Sequence, residues 1–480
     1  MTTAIISKLS HDGRGIVTSD TGKKVFIDGA LPGEEVNWQY VKKHRKYDEA
    51  KVTEVIQASA DRVQAPCPSF LTCGGCSYQH MSNNSQLSYK QNIVIELLQH
   101  FGNNQLPESW LAPLQAKTIE YRTKARLGVR YVFKKQKVLI GFREKSTNYL
   151  TEMDTCSVLT AELESLLKPL AELISHLSIY KQIAQIEFAM GDSDQDSPGR
   201  NIIAILRTLS ELDEKDYFLL NSFVKTHNIN LLVQPKGPDS LVALDNKTIP
   251  DLHYSFDYNQ DDVNFNIKYF FSSHDFTQVN LSLNTLMLKQ AINLLNLTGN
   301  ENILDLFCGL GNFTLPIAKM VPKGKVIGIE GTDQMVVRGQ SNATYNGITN
   351  TEFYCGNLYD KAELERLAQC NFYLDADKKY DCIILDPPRS GALELLPCLA
   401  KVDAKKILYI SCDPATFARD VGILCSEHGY KLLTAGIMDM FPHTKHVETM
   451  GLLVKNKLMD METNKSVIPN ESAITADRKE

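Results

Sequence analysis

At 480 residues the chain is too long for one ordinary core, and usual domain sizes point to about two to four domains. Apolar residues make up 43% and charged residues 22%, and no window approaches the roughly 18 consecutive apolar residues of a membrane span, so a soluble globular protein is expected. A net charge of −6 excludes whole-chain attraction to a polyanion, so contact with nucleic acid must come from local basic patches.

Residues 1–59 alternate in strand fashion between turns, which predicts a small OB-like β-barrel. Within it Lys42, Lys43, His44, Arg45 and Lys46 are flanked by Tyr40 and Tyr47. That pairing suits phosphate contact with base stacking, or simply a solvated loop. The opening MTTAIISKLSHDGRG lacks the pattern of a signal peptide, so a cytoplasmic location is expected.

A central segment, 60–270, begins with the cysteine-rich loop CPSFLTCGGCSYQH and continues into SQLSYKQNIVIELLQHF, whose apolar residues recur at helical spacing. From Lys117 to Lys145 ten Lys or Arg oppose two Glu on alternating runs, a positively charged face that attracts phosphates. Residues 160–265 read as an α/β scaffold with an acidic loop, GDSDQDSPGR. From 271 to 457 strand and helix signals alternate, which predicts parallel strands with crossover helices. The polar segment 458–480 has no periodicity and is expected to be disordered.

The strand ends of the 271–457 segment carry the chemistry. In LDLFCGLGNF a buried strand ending near Asp305 meets Gly309 and Gly311, which let backbone amides approach a ligand at a helix start. The departure from GxGxxG points to S-adenosylmethionine rather than a dinucleotide. Glu330 ends the next strand, where a carboxylate can accept from ribose hydroxyls, and Asn357 follows the third near an expected adenine. The fourth, YDCIILDPPRSG, places Asp386 before two prolines; a carboxylate facing substrate and a helix cap are the two readings. Amino-methylating enzymes end a related turn in an aromatic residue, and Arg389 stands there instead.

Cys412 ends the fifth strand, in SCDPATFARD. A thiolate beside a methyl donor fits a pyrimidine acceptor, because addition to C6 turns the poorly nucleophilic C5 into an enolate-like carbon. Elimination then needs a base for the C5 proton. Glu448, in HTKHVETMGLL, is the candidate, with His443 and His446 as competitors better suited to orientation or RNA contact. Asp413 and Pro414 shape the turn.

Eleven cysteines in a reducing compartment favour metal or catalytic roles where they cluster. Cys67, Cys73 and Cys76 form C-x5-C-x2-C without a matched zinc-type partner, and Cys156 is the lone cysteine between Cys76 and Cys308. Four such cysteines suit a [4Fe-4S] cluster. Cys355, Cys370, Cys382, Cys398 and Cys425 stand singly and are expected to be small buried apolar residues.

FTQVN (276–280), LDLFCGLGNFTLPIA (304–318), LDPPRSG (385–391), SCDPATFARD (411–420) and HVETM (446–450) resemble, in order, the bacterial RNA uracil-5-methyltransferases. The resemblance implies a C-terminal Rossmann-like class I fold that binds S-adenosylmethionine. It also implies Cys412 as nucleophile, Glu448 as base, and Gln278, Phe307, Asn312, Glu330, Asn357 and Asp386 as the cofactor set. It supports the cluster at Cys67, Cys73, Cys76 and Cys156. Residues 5–58 resemble a TRAM RNA-binding module, and barrel and cluster together resemble the 23S rRNA branch. The expected partner is 23S rRNA with a flipped uridine, bound by a monomer. The same chemistry on tRNA, and a non-catalytic RNA-binding factor, are the competing readings; intact Cys412 and Glu448 oppose the second.

Overall fold

The computed structural model describes residues 2–192, 201–237, 240–244, 249–260, 263–367 and 379–456. The 458–480 segment, Cys370 and most of the acidic loop lie outside them. Among the described residues no helix is long and apolar enough to cross a membrane.

Strands β1 (Thr2–Ile5), β2 (Lys8–Leu9), β3 (Gly15–Thr18), β4 (Lys24–Asp28), β5 (Glu35–Lys43) and β6 (Tyr47–Gln57) form one sheet in the order β1-β5-β6-β4-β3-β2. Its pairs are antiparallel except β4 with β6. Val25 and Ile27, like Val36 and Trp38, alternate inward onto a core shared with Ile6, Val17 and Ala50. At the β5–β6 turn the basic stretch covers its own aromatics. Lys43 lies over the Tyr40 ring at 4.5 Å and His44 stacks on Tyr47 at 4.5 Å.

Next come α1 (Asn83–His100), β7 (Ser109–Trp110), β8 (Lys124–Val132), β9 (Lys137–Gly141), α2 (Ala161–Glu164), α3 (Leu167–His176), β10 (Ile183–Met190), β11 (Ile202–Thr208), α4 (Glu214–His227), β12 (Asn230–Gln234) and β13 (Val242–Ala243). Six of these strands build a mixed sheet, β13-β12-β11-β10-β8-β9. On β8, Ala125, Leu127 and Val129 are buried while Arg126 and Arg130 are exposed. Part of the basic surface is neutralised locally, because Arg126 pairs with Glu187, and Lys135 and Lys137 both pair with Glu152.

The hairpin β14 (Leu252–Gln260) and β15 (Val263–Phe271) leads into α5 (Leu281–Leu295), β16 (Asn302–Leu306), α6 (Thr314–Met320), β17 (Lys325–Glu330), α7 (Asp333–Tyr345), β18 (Thr351–Cys355), α8 (Lys361–Leu367), β19 (Cys382–Leu385), α9 (Leu396–Val402), β20 (Lys406–Ser411), α10 (Pro414–Glu427), β21 (Tyr430–Met438) and β22 (Glu448–Lys455). The sheet runs β18-β17-β16-β19-β20-β22-β21-β7. β16 to β18 step outward on one side and β19 and β20 on the other. The strand order therefore reverses between β16 and β19, which opens a crevice at their carboxyl ends.

The all-parallel expectation fails at the last strand. β22 runs antiparallel to both β20 and β21. Nine residues join β21 to β22, fewer than a crossover between parallel strands requires.

Helix α1, early in the chain, packs against α10 of this sheet. Its Ile93, Val94, Leu97 and Leu98 join the core beneath Tyr409, Phe417 and Val421. The contact is close enough that a Cβ on Gly422 would stand 2.9 Å from the Gly102 backbone. β7 adds to the sheet edge beside β21.

Candidate active site

A cavity of about 780 Å³ opens at the β16–β19 crevice. Gln278, Phe307, Asn312, Glu330, Asp386, Cys412 and Glu448 all line it, joined by Tyr254, Arg389 and His446. Between β16 and α6 the backbone leaves regular structure. Phe307 takes φ +64°, a left-handed conformation that strains a bulky residue, and Gly309 and Gly311 take +56° and +93°. A Cβ on Gly309 would meet only Met335 Cε, at 3.8 Å, so that turn is open for a ligand to approach. The Glu330 carboxylate accepts the Gly309 amide at 3.0 Å, tying the β17 end to the turn.

Asn312 is held from three sides. Its amide pairs reciprocally with Asn284 at 2.9 and 3.0 Å, the Tyr254 hydroxyl donates to its Oδ1 at 3.0 Å, and the Tyr269 hydroxyl donates to its carbonyl at 3.0 Å. Tyr254 and Asn284 carry no signal in their own sequence neighbourhoods. They reach the site from β14 and α5, about 58 and 28 residues away.

Two expected positions are displaced. Asn357 is exposed, does not line the cavity, and accepts the Tyr359 amide at 3.1 Å, which makes it a turn-former before α8. Asp305 is fully buried behind the cavity and accepts the Thr314 hydroxyl at 2.6 Å; burial pushes its carboxyl up to about 7. No helix begins at Asp386, so the capping reading of that residue is not met. Among the single cysteines, Cys382 and Cys398 are buried, Cys425 is half-buried and Cys355 is exposed.

The antiparallel return of β22 closes one corner of the cavity. Ser411 pairs with Thr449 as the last rung between β20 and β22; Cys412 follows that rung and Glu448 precedes it, and both line the cavity. Asp413 caps α10, accepting the Ala415 and Thr416 amides at 3.0 and 3.2 Å, which turns the chain just after Cys412. Burial, then the neighbouring Asp386, raises Glu448 to about 8, against the pull of Arg389 and Lys90. Burial, then Glu448 and Asp386, raises the Cys412 thiol to about 11, and burial raises Asp386 to about 7. Arg389 donates to His446 Nδ1 at 3.0 Å, and burial followed by Arg389 lowers that imidazole to about 4, so it is a neutral acceptor. His443 is buried, with its carbonyl accepting the Ser77 and Tyr78 amides at 2.7 and 2.9 Å. It is an internal brace, not an RNA-facing residue.

The cysteine loop lies behind this corner. Cys67, Cys73, Cys76 and Cys156 line one cavity, which Thr444 of the β21–β22 connection also reaches. None is in a disulfide. Burial raises the thiols of Cys76 and Cys156 to about 12 and 11, with the other cysteines adding to the rise. Among the described residues no three His, Cys, Asp or Glu side chains stand as a ready site for one metal ion.

Residues 82–457 match the family model of tRNA (uracil-5-)-methyltransferases. The chain is 43% identical over 462 residues to the 23S rRNA (uracil(1939)-C(5))-methyltransferase RlmD of Francisella tularensis subsp. novicida, covering 94% of this chain and 96% of that one. It is 42% identical over 454 residues to the enzyme of the same name from Legionella pneumophila, covering 94% and 97%. In fold it resembles the crystal structure of Pyrococcus abyssi tRNA (uracil-54, C5)-methyltransferase in complex with S-adenosyl-L-homocysteine. The TM-score is 0.68 at 21% identity, over 94% of this chain and all of the other.

Proposed function

Because this chain belongs to the tRNA (uracil-5-)-methyltransferase family and methylates C5 of uracil in 23S rRNA with S-adenosylmethionine, we propose that Cys412 is its nucleophile and Glu448 its base. The observation that carries this reading is a thiol and a buried carboxyl on the wall of one cavity, flanking the last paired residues of β20 and β22.

S-adenosylmethionine supplies the methyl group as a sulfonium. As its thiolate, Cys412 bonds through sulfur to C6 of the uracil, moving the C5–C6 π electrons onto C5, and C5 takes the methyl group as the S–CH3 bond breaks and its electron pair leaves with the sulfur of S-adenosylhomocysteine. Glu448 then accepts the C5 proton, the C5–C6 double bond reforms, and the C6–S bond breaks to return the thiolate. The raised Glu448 suits a base that must hold a proton near neutral pH. Arg389 lies beside both groups and offsets the negative charge that forms there.

Gln278, Phe307, Asn312, Glu330 and Asp386 are the proposed cofactor contacts, supported by their shared cavity and the open turn at Gly309. Asn357 joins them in this proposal only through family resemblance. Cys67, Cys73, Cys76 and Cys156 are proposed to hold a [4Fe-4S] cluster. Four unpaired thiols around one cavity fit it, as does the Gly75 amide donating to Cys73 Sγ at 3.4 Å. A cube sets its four thiolates farther apart than a single ion does, and four cysteines leave no iron open for substrate chemistry. The N-terminal sheet is the proposed TRAM module, and the substrate is a flipped uridine met by a cytoplasmic monomer. In a deletion strain, mass spectrometry should show 5-methyluridine lost from 23S rRNA and kept in tRNA; loss from tRNA alone would overturn the assignment.

A further inference from the structure

We propose that Gln86 and Lys90, one helical turn apart on α1, are positioning residues that hold the β21–β22 connection and through it the carboxyl of Glu448. This rests on the reading of Glu448 as the base.

Both side chains are long, polar and 1% exposed, an unusual state for residues of these types on a helix. Neither serves its own helix. Lys90 Nζ donates to Asp439 Oδ1 at 2.7 Å and to the Phe441 carbonyl at 3.2 Å. Gln86 Oε1 accepts the His443 amide at 3.1 Å, and its Nε2 lies 3.2 Å from His443 Nδ1 while donating to the Tyr78 and Met81 carbonyls at 3.1 and 2.8 Å. The distant partners all lie in residues 439–443, just before Glu448, and the near ones, Tyr78 and Met81, lie at and just after the end of the cysteine loop.

The connection needs such a hold. His443 takes φ +66°, a conformation that a non-glycine residue keeps only when its surroundings impose it. Tyr121 adds a hydroxyl bond to the Pro442 carbonyl at 3.2 Å, and the Ser77 and Tyr78 amides reach the His443 carbonyl. The segment also delivers Phe441 and His446 to the catalytic cavity. A buried ion pair could serve stability alone, since removing one partner strands the other charge in the interior. Two features point beyond that role. Both α1 side chains hold one short segment, Lys90 at Asp439 and Phe441 and Gln86 at His443, and Lys90 acts electrostatically on Glu448 itself. The other groups facing Glu448 are Asp386, Arg389 and Cys412, and only Arg389 and Lys90 among these favour its ionised form.

The test follows single-turnover reaction of the full-length protein with a 23S rRNA fragment between about pH 6 and pH 9, timing adduct formation and adduct resolution separately on denaturing gels. In Lys90→Met the midpoint for adduct resolution should move to higher pH. At neutral pH resolution should slow about fivefold, recovering at about pH 9, with adduct formation unchanged and Lys90→Arg restoring the wild-type profile. Lys90→Met/Asp439→Asn removes both charges and keeps the experiment decisive if the single variant misfolds. Gln86→Leu should slow resolution at every pH without changing affinity for S-adenosylhomocysteine by calorimetry; an unchanged rate would remove Gln86 from the proposal. A uniform loss in the lysine variants, or an unmoved midpoint, would overturn it for Lys90. Glu448→Gln run alongside separates the two readings. If it resolves adduct at the wild-type rate, the base assignment is wrong; if it traps adduct while Lys90→Met behaves as wild type, only the positioning role fails.

Discussion

Cys412 and Glu448 flank the last rung between β20 and β22, the Ser411–Thr449 pair, and line one cavity. Two residues 36 positions apart thus share one wall because a short connection forces the last strand to run backwards. Replacing Cys412 by Ala should cut methylation by about a thousandfold or more while leaving S-adenosylhomocysteine binding intact. RNA containing 5-fluorouracil checks this directly, since fluorine cannot leave C5 as a proton does. The wild type should form a stable adduct and Cys412→Ala none.

Glu448→Gln should complete methyl transfer and then stall. The expected product is a covalent complex whose uracil already carries the new methyl group, visible by mass spectrometry of the adduct. Recovery of only unreacted RNA and free enzyme would remove Glu448 from the final step.

The pH response of stability follows from the same carboxyl. Folding raises Glu448 from its ordinary 4.5 to about 8, so between those values the native state holds a proton that the unfolded state has released. Its contribution is therefore fully present below about pH 4.5 and is lost as pH rises towards 8. Glu448→Gln removes that loss. The variant should be more stable than wild type at pH 8 by on the order of 1–3 kcal/mol, and equal to it at pH 4. Thermal unfolding at the two pH values measures the difference.

Iron should report the cysteine cavity. Protein purified without oxygen is expected to carry about four iron per chain, with visible absorption from sulfur-to-iron charge transfer. Substituting Ser for Cys67, Cys73, Cys76 or Cys156 should lower the iron content each time. The same change at the half-buried Cys425 should leave iron unchanged.

Gly422→Ala tests the docking of α1. The new methyl group would press on the Gly102 backbone at 2.9 Å, which cannot yield as a flexible side chain does. Destabilisation of about 1–3 kcal/mol is expected by chemical denaturation.

Much of the site was legible in the sequence because strand ends announce themselves locally. An apolar run followed by glycines, by a carboxylate and two prolines, or by a cysteine and a helix cap is a feature of neighbouring residues. That locality is why Glu330, Asp386 and Cys412 could be placed at strand ends, where they line one cavity, and why the helical spacing of α1 was plain. Asn357 follows a strand end in the same way, and there its side chain accepts the Tyr359 amide of its own turn.

What the tertiary structure alone decided depends on residues far apart in the chain. The reversal of β22 brought Glu448 to the cavity that Cys412 lines, since pairing direction is a property of two strands and not of either one. α1 brought Gln86 and Lys90 to a loop some 350 residues away. The raised Glu448 and Cys412 arise from burial and then from neighbouring carboxylates, Asp386 on Glu448, and Glu448 with Asp386 on Cys412, which come together only once the sheet has closed around them. Sequence determines the residue types and the local turns that present them; packing determines which of those turns meet, and so which carboxyl is buried beside the thiol's cavity.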